Sequence, residues 1–402
     1  MVPDGWKVRS ISDVLEKVST PVEIKSTELY REIGIRSHGK GIFHKEPTSG
    51  KSIGNKRVFH IEPDCLVVNI VFAWEQAVAK TSSAELGMIA SHRFPMFKPK
   101  TNRCDINYIL YFFKTKKGKY LLELASPGGA GRNKTLGQSE FAKLRFTMPP
   151  IEEQQKIATI LSTWDKAITT TEQLLANSQQ QKKALMQQLL TGKKRLLDKD
   201  GVRFSGEFKR YHFSDLLEID RKSLGSKTDP NLEFDYISLS DVGTGTIPGA
   251  LERHIFKTSP SRARRIVSPG DILLATVRPN LQGFAKVREQ HEHCIASTGF
   301  AVLTPKKGTC GDYVYHYLFG SHITGQINAL VVGTNYPAIN SSDVSGLCIY
   351  CPHYEEQIEI AKVLNSSDEL INALQQKLEA LKQEKKALMQ QLLTGKRRVL
   401  VS

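Results

Sequence analysis

Two long segments of the chain place mostly apolar residues at alternating steps of three and four positions. The first seam consists of Ile157, Leu161, Trp164, Ile168, Thr171, Leu175, Ser178, Lys182, Leu185 and Leu189, and the second of Ile360, Leu364, Ser367, Ile371, Leu374, Leu378, Leu381, Lys385, Leu388 and Leu392. An average step of about 3.5 residues is typical of a coiled-coil helix. We therefore predict two helices of about 39 residues, each roughly 58 Å long at about 1.5 Å per residue.

Both segments carry helix start and stop signals. Pro149 and Pro352 precede first turns that hold acidic pairs, and Gly192 and Gly395 follow the last turns together with basic runs. Proline and acidic residues favour a helix N-terminus, whereas glycine and cations favour a C-terminus. The signals therefore bound the same length of chain in both segments.

The two predicted helices are near copies of each other. The sequence KKALMQQLLTGK occupies 182–193 and again 385–396, an offset of 203 residues (385 − 182). A gapless match of this kind indicates one module written twice. Because one helix leads out of the first globular region and the other leads back, we expect an antiparallel pair with a globule at each end. The alternative is a long helix that only packs beneath a domain.

Two globular regions flank the helices. Their predicted strands are 57–61, 66–72, 94–97 and 106–113 in the first and 236–239, 271–277, 298–303 and 347–350 in the second, where 313–318 opens a helix. The predicted fold class is α+β, with two sheet-rich α/β globular domains separated by two long antiparallel α-helices (a coiled coil) and an internal pseudo-twofold repeat. The predicted globular domains are 1–148 and 196–350, and the spacer helices lie within 149–195 and 351–402.

The globules have diverged further than the helices. Residues 89–91 read Ile-Ala-Ser, as do 295–297 at an offset of 206 (295 − 89), but such matches are sparse. Near-identical helices predict two equivalent docking surfaces for two copies of one partner. Divergent globules predict that each one recognises something different.

Composition narrows the function. The chain of 402 residues carries a net charge of +15, which indicates a polyanionic partner. No membrane span or export signal occurs, so we expect a cytoplasmic protein without a membrane partner. The six cysteines show no disulfide framework, and the cluster of His291, His293 and Cys294 lacks a second ligand pair, so no metal site is predicted.

The helices and globules together resemble the specificity subunit of a type I DNA restriction-modification system. The resemblance rests on the P-x-x-E-E-Q sequences that start at Pro149 and Pro352, on the two long helices ending in ALMQQLLTGK, and on the two variable globules. It implies that 1–148 and 196–350 are target recognition domains, each reading one half of a split sequence in double-stranded DNA. It also implies that the helices set the spacing and dock two methyltransferase subunits, which restriction subunits then join.

The sequence lacks a catalytic motif. Residues 128–135, GGAGRNKT, approach the phosphate-binding loop G-x-x-x-x-G-K-T, but Asn133 replaces the second glycine, and no Asn-Pro-Pro-aromatic motif is present. We therefore expect a non-catalytic subunit with no cofactor of its own. The resemblance implies S-adenosylmethionine, ATP and Mg on the partner subunits, which would supply adenine-N6 methylation and ATP-dependent cleavage.

Candidate DNA contacts lie on two pairs of loops. Arg, Asn and Gln side chains suit paired hydrogen bonds to base edges, and Lys and Arg suit phosphates. The first pair of loops offers Trp74, Gln76, Arg278, Asn280 and Gln282, and the second pair offers Arg132, Asn133, Lys134, Thr334, Asn335 and Tyr336. Phosphate contacts are predicted for Lys114, Lys116, Lys117, Lys119, Arg262, Arg264 and Arg265. The alternative to DNA contact, for each of these residues, is a solvated surface side chain without a binding role.

Candidate partner-binding residues are outer positions that are identical in the two helices: Gln187, Gln188, Thr191, Gln390, Gln391 and Thr394. Two other classes of function stay open. A stand-alone coiled-coil DNA-binding protein, architectural or regulatory, would bind specific DNA without a methyltransferase. A helical adaptor that joins only proteins would bind no DNA and would leave the net charge of +15 unexplained.

Overall fold

The computed structural model of the chain describes residues 3–128, 134–331 and 337–400. The chain divides into two compact units. Unit 1 comprises Met1–Glu172 with Lys377–Ser402, and unit 2 comprises Gln173–Gln376. Each unit therefore combines one globule with the first part of one long helix and the last part of the other.

The globule of unit 1 is rich in short strands. Its strands are β1 Lys7–Ser10, β2 Leu15–Val18, β3 Leu29–Tyr30, β4 Ile33–Ile35, β5 Ile42–His44, β6 Thr48–Ser49, β7 Val58–His60, β8 Leu66–Val68, β9 Val78–Lys80, β10 Ile89–Ser91, β11 Met96–Pro99 and β12 Arg145–Met148. Its helices are α1 Ile11–Val14, α2 Gly50–Ile53, α3 Ile106–Phe113, α4 Lys116–Leu124 and α5 Gln138–Lys143. The long helix α6 follows at Ile151–Leu189.

The globule of unit 2 has related elements. Its strands are β13 Lys209–His212, β14 Leu217–Ile219, β15 Glu233–Ile237, β16 Glu252–Ile255, β17 Ala263–Ile266, β18 Ile272–Ala275, β19 Phe284–Lys286, β20 Ile295–Ser297, β21 Phe300–Pro305 and β22 Cys348–Cys351. Its helices are α7 Phe213–Leu216, α8 Gly311–Leu318, α9 Ser321–Leu330 and α10 Ser341–Gly346. The long helix α11 spans Tyr354–Leu392.

One four-stranded sheet and one strand pair have the same topology in both units. The antiparallel order β2-β11-β8-β9 of unit 1 corresponds to β14-β21-β18-β19 of unit 2. The first and last strands of each globule pair as β1 with β12 and as β13 with β22. Since these last strands run directly into α6 and α11, the sheets fix where each long helix leaves its globule.

The prediction of a strand at 106–113 was wrong, because this segment is helix α3. The Asp105 side chain accepts a hydrogen bond of 2.9 Å from the Tyr108 amide and so caps the helix. Tyr108, Ile109, Phe112 and Phe113 are all buried in the core. A helix that is apolar on most sides shows no clear 3.6-residue period, so its sequence resembles that of a buried strand. The equivalent helix α8 was predicted from 313–318.

The remaining predicted strands overlap observed strands, although several ends differ. The predicted strand 66–72 stops at Val68, and the Asn69 carboxamide oxygen then accepts a 3.1 Å hydrogen bond from the Val71 amide. This local turn gives the backbone an alternative to further pairing in the sheet.

The two segments predicted as long helices are α6 and α11, each of 39 residues. None of the seam residues is exposed. Gly192 and Gly395 end the helices, both with φ of 71°, a left-handed conformation that glycine adopts readily. The seam, the length and the ends of the helices therefore follow the sequence pattern closely.

The long helices run antiparallel within each unit. In unit 1, Glu172 pairs with Lys382 at 2.8 Å, and Asp165 pairs with Lys385. In unit 2, the Lys182 ammonium lies 2.5 Å from the Asp368 carboxylate. The Asp165–Lys385 and Asp368–Lys182 pairs are equivalent in the repeat. Helix α6 supplies the acidic residue of the first pair and the basic residue of the second, and α11 supplies the other two.

The P-x-x-E-E-Q sequence has a structural role in unit 1. The Arg398 guanidinium donates two hydrogen bonds, of 2.7 and 2.8 Å, to the buried Glu153 carboxylate. The Gln154 carboxamide donates to the Pro149 carbonyl at 2.9 Å and accepts from the Asp105 amide at 2.9 Å. The acidic residue thus anchors the segment after α11, and the glutamine joins α6 to the start of α3.

Unit 2 repeats these contacts with the partners exchanged. The Arg195 guanidinium donates hydrogen bonds of 2.7 and 2.5 Å to the buried Glu356 carboxylate. The Gln357 carboxamide donates to the Pro352 carbonyl at 3.0 Å and accepts from the Cys310 amide at 3.1 Å. The repeated motif therefore forms a helix-to-globule joint that is built once in each unit.

We expect Arg195→Ala to destabilise unit 2 by about 3–5 kcal/mol, because it leaves the buried Glu356 carboxylate without its cation. Lys194→Ala is the matched control, since Lys194 is exposed on the same segment. Urea unfolding of the full chain measures both changes. A loss below about 1 kcal/mol in Arg195→Ala would show that water enters and solvates the carboxylate.

Candidate nucleic-acid interface

The first predicted loop occupies the same place in both globules. In unit 1, the turn Ala73–Glu75 joins β8 to β9, and in unit 2 the turn Pro279–Leu281 joins β18 to β19. Each turn ends at a glutamine with left-handed backbone, Gln76 with φ of 58° and Gln282 with φ of 53°. The offset of 206 therefore matches two turns with the same left-handed end, although Arg278 enters its turn with φ of 49° and the equivalent Phe72 with φ of −123°.

Described residues that follow the second predicted loop lie beside the first loop in each unit. In unit 1, the Leu136 amide donates a 2.8 Å hydrogen bond to the Ile70 carbonyl. In unit 2, the Ile339 amide donates to the Thr276 carbonyl at 2.9 Å, and the Arg278 amide donates to the Pro337 carbonyl at 2.7 Å. The structure thus brings together loop ends that lie about sixty residues apart in sequence, because the strands fold back on themselves.

Five of the predicted DNA-contacting residues lie outside the described residues: Arg132, Asn133, Thr334, Asn335 and Tyr336. Lys134 is described, and its ammonium lies 5.5 Å from the centre of the Trp74 ring. This distance is within cation–π range. Lys134 and Trp74, which were predicted from different loops, therefore share one surface.

The side chains of the first loop differ in what they bind. The Gln76 carboxamide donates to the Phe113 carbonyl at 2.8 Å and to the Thr115 carbonyl at 3.3 Å, so its NH₂ group holds the turn against the end of α3. The Trp74 indole donates to the Val71 carbonyl at 3.1 Å. In unit 2, Arg278 and Asn280 are exposed and Gln282 is half-buried. The base-reading role predicted for these residues stays a prediction.

The residues predicted to contact phosphates also differ in their surroundings: some contact other residues of their own unit, and others are exposed. Arg265 pairs with Asp220 at 2.8 Å, and the Arg264 guanidinium lies 4.8 Å from the centre of the Phe256 ring. Arg262 is exposed, as are Lys116 and Lys117 at the start of α4. These three cations project into solvent, whereas Arg264 and Arg265 are engaged in contacts within unit 2.

Lys114 lies between the helices and the candidate loops of unit 1. Burial lowers the pKa of its ammonium below the ordinary value for lysine, although the Asp165 carboxylate acts in the opposite direction. The Lys114 ammonium lies 5.9 Å from the centre of the Tyr111 ring, whose hydroxyl donates to the Asp165 carboxylate at 2.6 Å.

The six predicted partner-binding residues form a second surface in each unit. Gln187, Gln188 and Thr191 are exposed on α6 and just after it, and their counterparts Gln390, Gln391 and Thr394 are exposed in the same way beside α11. The hydroxyls of Thr191 and Thr394 donate to the carbonyls four residues earlier, at 2.5 and 2.6 Å. Equivalent side chains thus have equivalent local geometry.

The structure adds residues to this surface that the sequence alone did not single out. They are exposed, and each is identical in the two copies: Lys183, Ala184, Lys193, Lys386, Ala387 and Lys396. Their identity was visible in the repeated sequence, but the face on which each side chain lies was not. We call these and the six predicted residues the repeated exposed surface.

Other kinds of site find no support in the described part of the chain. No group of three or more His, Cys, Asp or Glu residues there could hold a metal ion. Among the described helices, none combines the length and apolar character needed to cross a membrane.

A comparison with known protein families gives a match over most of both units. The sequence model described as the type I restriction modification DNA specificity domain matches residues 3–177 and 206–383. The chain belongs to this family. The two matched segments correspond to the two copies of the repeat, so a specificity domain is present in each copy.

Two curated relatives of this specificity subunit are themselves named as specificity subunits of type I restriction enzymes. The putative type I restriction enzyme MjaX specificity subunit of Methanocaldococcus jannaschii is 23% identical over 434 residues, covering 99% of this chain and 95% of the relative. The MjaVIII specificity subunit of the same organism is 25% identical over 425 residues, covering 99% and 94%. The chain thus spans nearly the whole of both relatives.

Solved structures show the same fold for the specificity subunit. The S subunit of a type I restriction-modification system from M. genitalium superimposes with a TM-score of 0.61 at 14% identity, over 98% of this chain and 99% of that chain. A chain from a study of the assembly and conformational transition of a type I R-M system gives a TM-score of 0.54 at 17% identity, over 98% of each chain. At such low identity these likenesses concern the fold alone.

Proposed function

We propose that the globular domains 1–148 and 196–350 each read one half of a bipartite sequence in double-stranded DNA. The spacer helices within 149–195 and 351–402 set the distance between the half-sites and dock two methyltransferase subunits around a pseudo-twofold axis. Restriction subunits then join this complex. The chain itself is non-catalytic and holds no cofactor, and S-adenosylmethionine, ATP and Mg act on the partner subunits.

The observation that carries this proposal is the repeated exposed surface. Over 182–193 and 385–396, solvent-facing positions are identical as well as buried ones. A helix that only packs against its own chain needs identity at the buried seam and nowhere else. Identical exposed side chains in two places are what two copies of one partner require.

The first half of each helix, beyond its first turn, provides an internal control. There the positions outside the seam differ between copies, sometimes in charge: Lys156 corresponds to the half-buried Glu359, and the exposed Lys166 corresponds to the exposed Glu369. The seam residues Ile157, Leu161 and Ile168 recur unchanged as Ile360, Leu364 and Ile371. Exposed positions away from a partner tolerate substitution at little cost to stability, usually within about 0.5 kcal/mol. Constraint on the repeated exposed surface therefore comes from binding.

Three features support DNA as the ligand of the globules. The chain has a net charge of +15, the residues that follow the second candidate loop lie beside the first loop in each unit, and curated relatives are named as specificity subunits of restriction enzymes. The side chains at matching loop positions differ, as in Trp74 and Asn280. Matching loops with different side chains suit two half-sites of different sequence.

The spacer role is tested by lengthening both helices. Seven residues are inserted after Leu175 and after Leu378, which are repeat-equivalent seam positions. Seven residues preserve the heptad seam and add about 10 Å to each helix, or about three base pairs of duplex. We expect the gap between the half-sites to grow by about three base pairs while the half-sites stay the same.

Sequencing of methylated adenines in cells that carry the lengthened subunit measures the gap. Insertion into α6 alone is the control, because it shifts one seam against the other and is expected to abolish methylation. A paired insertion that leaves the gap unchanged would rule out the spacer role. A change in either half-site would contradict the division of labour between globules and helices.

A further inference from the structure

A third loop of unit 1 packs directly on the first candidate loop. Residues 36–41 join β4 to β5. The His38 amide donates a 2.6 Å hydrogen bond to the Glu75 carbonyl, and the Gly39 amide donates a 2.9 Å hydrogen bond to the Gln76 carbonyl. The Ser37 hydroxyl also donates to the Glu75 carboxylate at 2.9 Å. The backbones of 36–41 and of the turn Ala73–Glu75 therefore form one continuous surface.

His38 occupies a backbone conformation that favours glycine. Its φ is 60°, and the neighbouring Gly39 and Gly41 have φ of 64° and 83°. Non-glycine residues with positive φ in the described part of the chain are His38, Asp64, Gln76, Asn102, Asp220, Arg278, Gln282 and His293. Half of them lie either in 36–41 or in the first candidate loop of one of the units, and strained residues of this kind cluster at functional sites.

The imidazole at position 38 is exposed, so packing in the core does not explain it. Glycine would adopt the same backbone without strain. The exposed imidazole is therefore available to contact a ligand, and its place beside the candidate loop distinguishes it from exposed residues of the same conformation elsewhere.

Three lysines lie near His38, together with the Glu75 carboxylate that the Ser37 hydroxyl contacts. Lys40 is exposed on the same loop, and the stem of Lys114 lies against Gly39, where an added Cβ atom would come within 2.8 Å of its Cγ atom. Lys134 lies over the Trp74 ring. Among the described residues, no carboxylate lies within ion-pair distance of these three lysines. Lysines without acidic partners next to a loop edge suit the phosphates that flank a base pair.

Unit 2 also places a glycine-containing loop near its first candidate loop. The Gly245 amide donates a 2.8 Å hydrogen bond to the Phe284 carbonyl, and Gly245 has φ of 80°. Phe284 lies two residues after Gln282, the counterpart of Gln76, so this contact differs in register from that of Gly39. The exposed Thr244 precedes Gly245 as the exposed His38 precedes Gly39.

We propose that His38 is a specificity-determining residue whose imidazole contacts a base edge in the half-site bound by unit 1. Lys40 and Lys114 bind the phosphates on either side. The ring nitrogens of histidine can donate to guanine N7 or O6 or accept from an exocyclic amine, so the contact distinguishes base pairs in the major groove. This inference rests on the proposed function and names one residue of unit 1 that contacts a base.

The test replaces His38 by glycine in the full chain, assembled with its methyltransferase subunits. His38→Gly removes the imidazole and relieves the backbone strain, so thermal stability should be unchanged or higher. Asn102→Gly is the matched control, because Asn102 is also exposed with φ of 56° but lies outside the candidate loops. Lys40→Ala tests the phosphate contact.

The readout is adenine methylation of a randomised double-stranded DNA library. For His38→Gly we expect discrimination at one or two base pairs of one half-site to fall about tenfold, with the other half-site unchanged. For Lys40→Ala we expect weaker methylation of all sequences alike and a smaller dependence on salt. Asn102→Gly should behave like the natural protein.

Unchanged base preferences in His38→Gly would overturn the assignment, while the natural complex would still read its bipartite sequence and the proposed function would stand. Equal losses in His38→Gly and Asn102→Gly would also overturn it, because backbone change alone would then explain the effect. A natural complex without any sequence preference would contradict the proposed function itself.

Discussion

Arginine at both Thr191 and Thr394 is expected to abolish methylation by the assembled complex. Both threonines are exposed, and each occupies the same position on the repeated exposed surface. A long cation there blocks close approach of a partner and leaves a charge at the interface, which costs several kcal/mol. We expect binding of both methyltransferase subunits to fall at least a hundredfold, which corresponds to about 2.7 kcal/mol.

The single variants make this prediction sharper. Thr191→Arg alone should leave one methyltransferase subunit per chain, and Thr394→Arg alone should leave the other, as native mass spectrometry of the complex would show. The control is arginine at Thr169 and Asn372, a repeat-equivalent exposed pair whose residues differ between the copies. If the double variant kept both subunits, docking on this surface would be excluded.

A chain carrying two copies of one globule should recognise an inverted repeat of a single half-site. Residues 4–148 are placed where 206–351 stand, with both long helices unchanged. The exchange is possible because the helix residues that meet each globule are the same: Ile157, Leu161 and Leu392 in unit 1 are equivalent to Ile360, Leu364 and Leu189 in unit 2. We expect one half of the natural target to disappear from the map of methylated adenines.

The reverse exchange completes this experiment. Two copies of 206–351 should give an inverted repeat of the other half-site, and the two symmetric targets together should account for the natural one. Survival of the natural asymmetric target in either chimera would show that the exchanged globule does not read a half-site.

Helix length, ends and buried face were predictable because each depends on residues close in sequence. Ile157 and Leu161 show the seam directly, and Gly192 and Gly395 have the left-handed conformation that their positions suggested. The segment 106–113 was not predictable in this way. A helix surrounded by core is apolar on most sides, and the helix-start signal here is a single residue, Asp105, whose carboxylate accepts a hydrogen bond from the Tyr108 amide.

Contacts between residues that are far apart in the chain could not be predicted from the sequence. Glu153 and Arg398 lie 245 positions apart, so the reason for the second acidic residue in the repeated motif became visible only in the folded chain. The same limit applies to the candidate interface. The repeat offset matched Gln76 with Gln282. It could not show that the side-chain carboxamide of Gln76 donates hydrogen bonds to carbonyls at the end of α3. It also gave no sign that 36–41 lies against the same turn.

The crossed ion pairs constrain how genes for such subunits can recombine. Because Asp165 pairs with Lys385 and Lys182 pairs with Asp368, each half of the gene encodes acidic and basic members whose partners are encoded in the other half. A recombinant chain therefore keeps both pairs only when the two parent genes carry the same charges at these four positions, and the loss of a partly exposed pair costs about 1 kcal/mol or less. Globules can therefore be exchanged between such subunits, while the charged residues at these four helix positions stay the same.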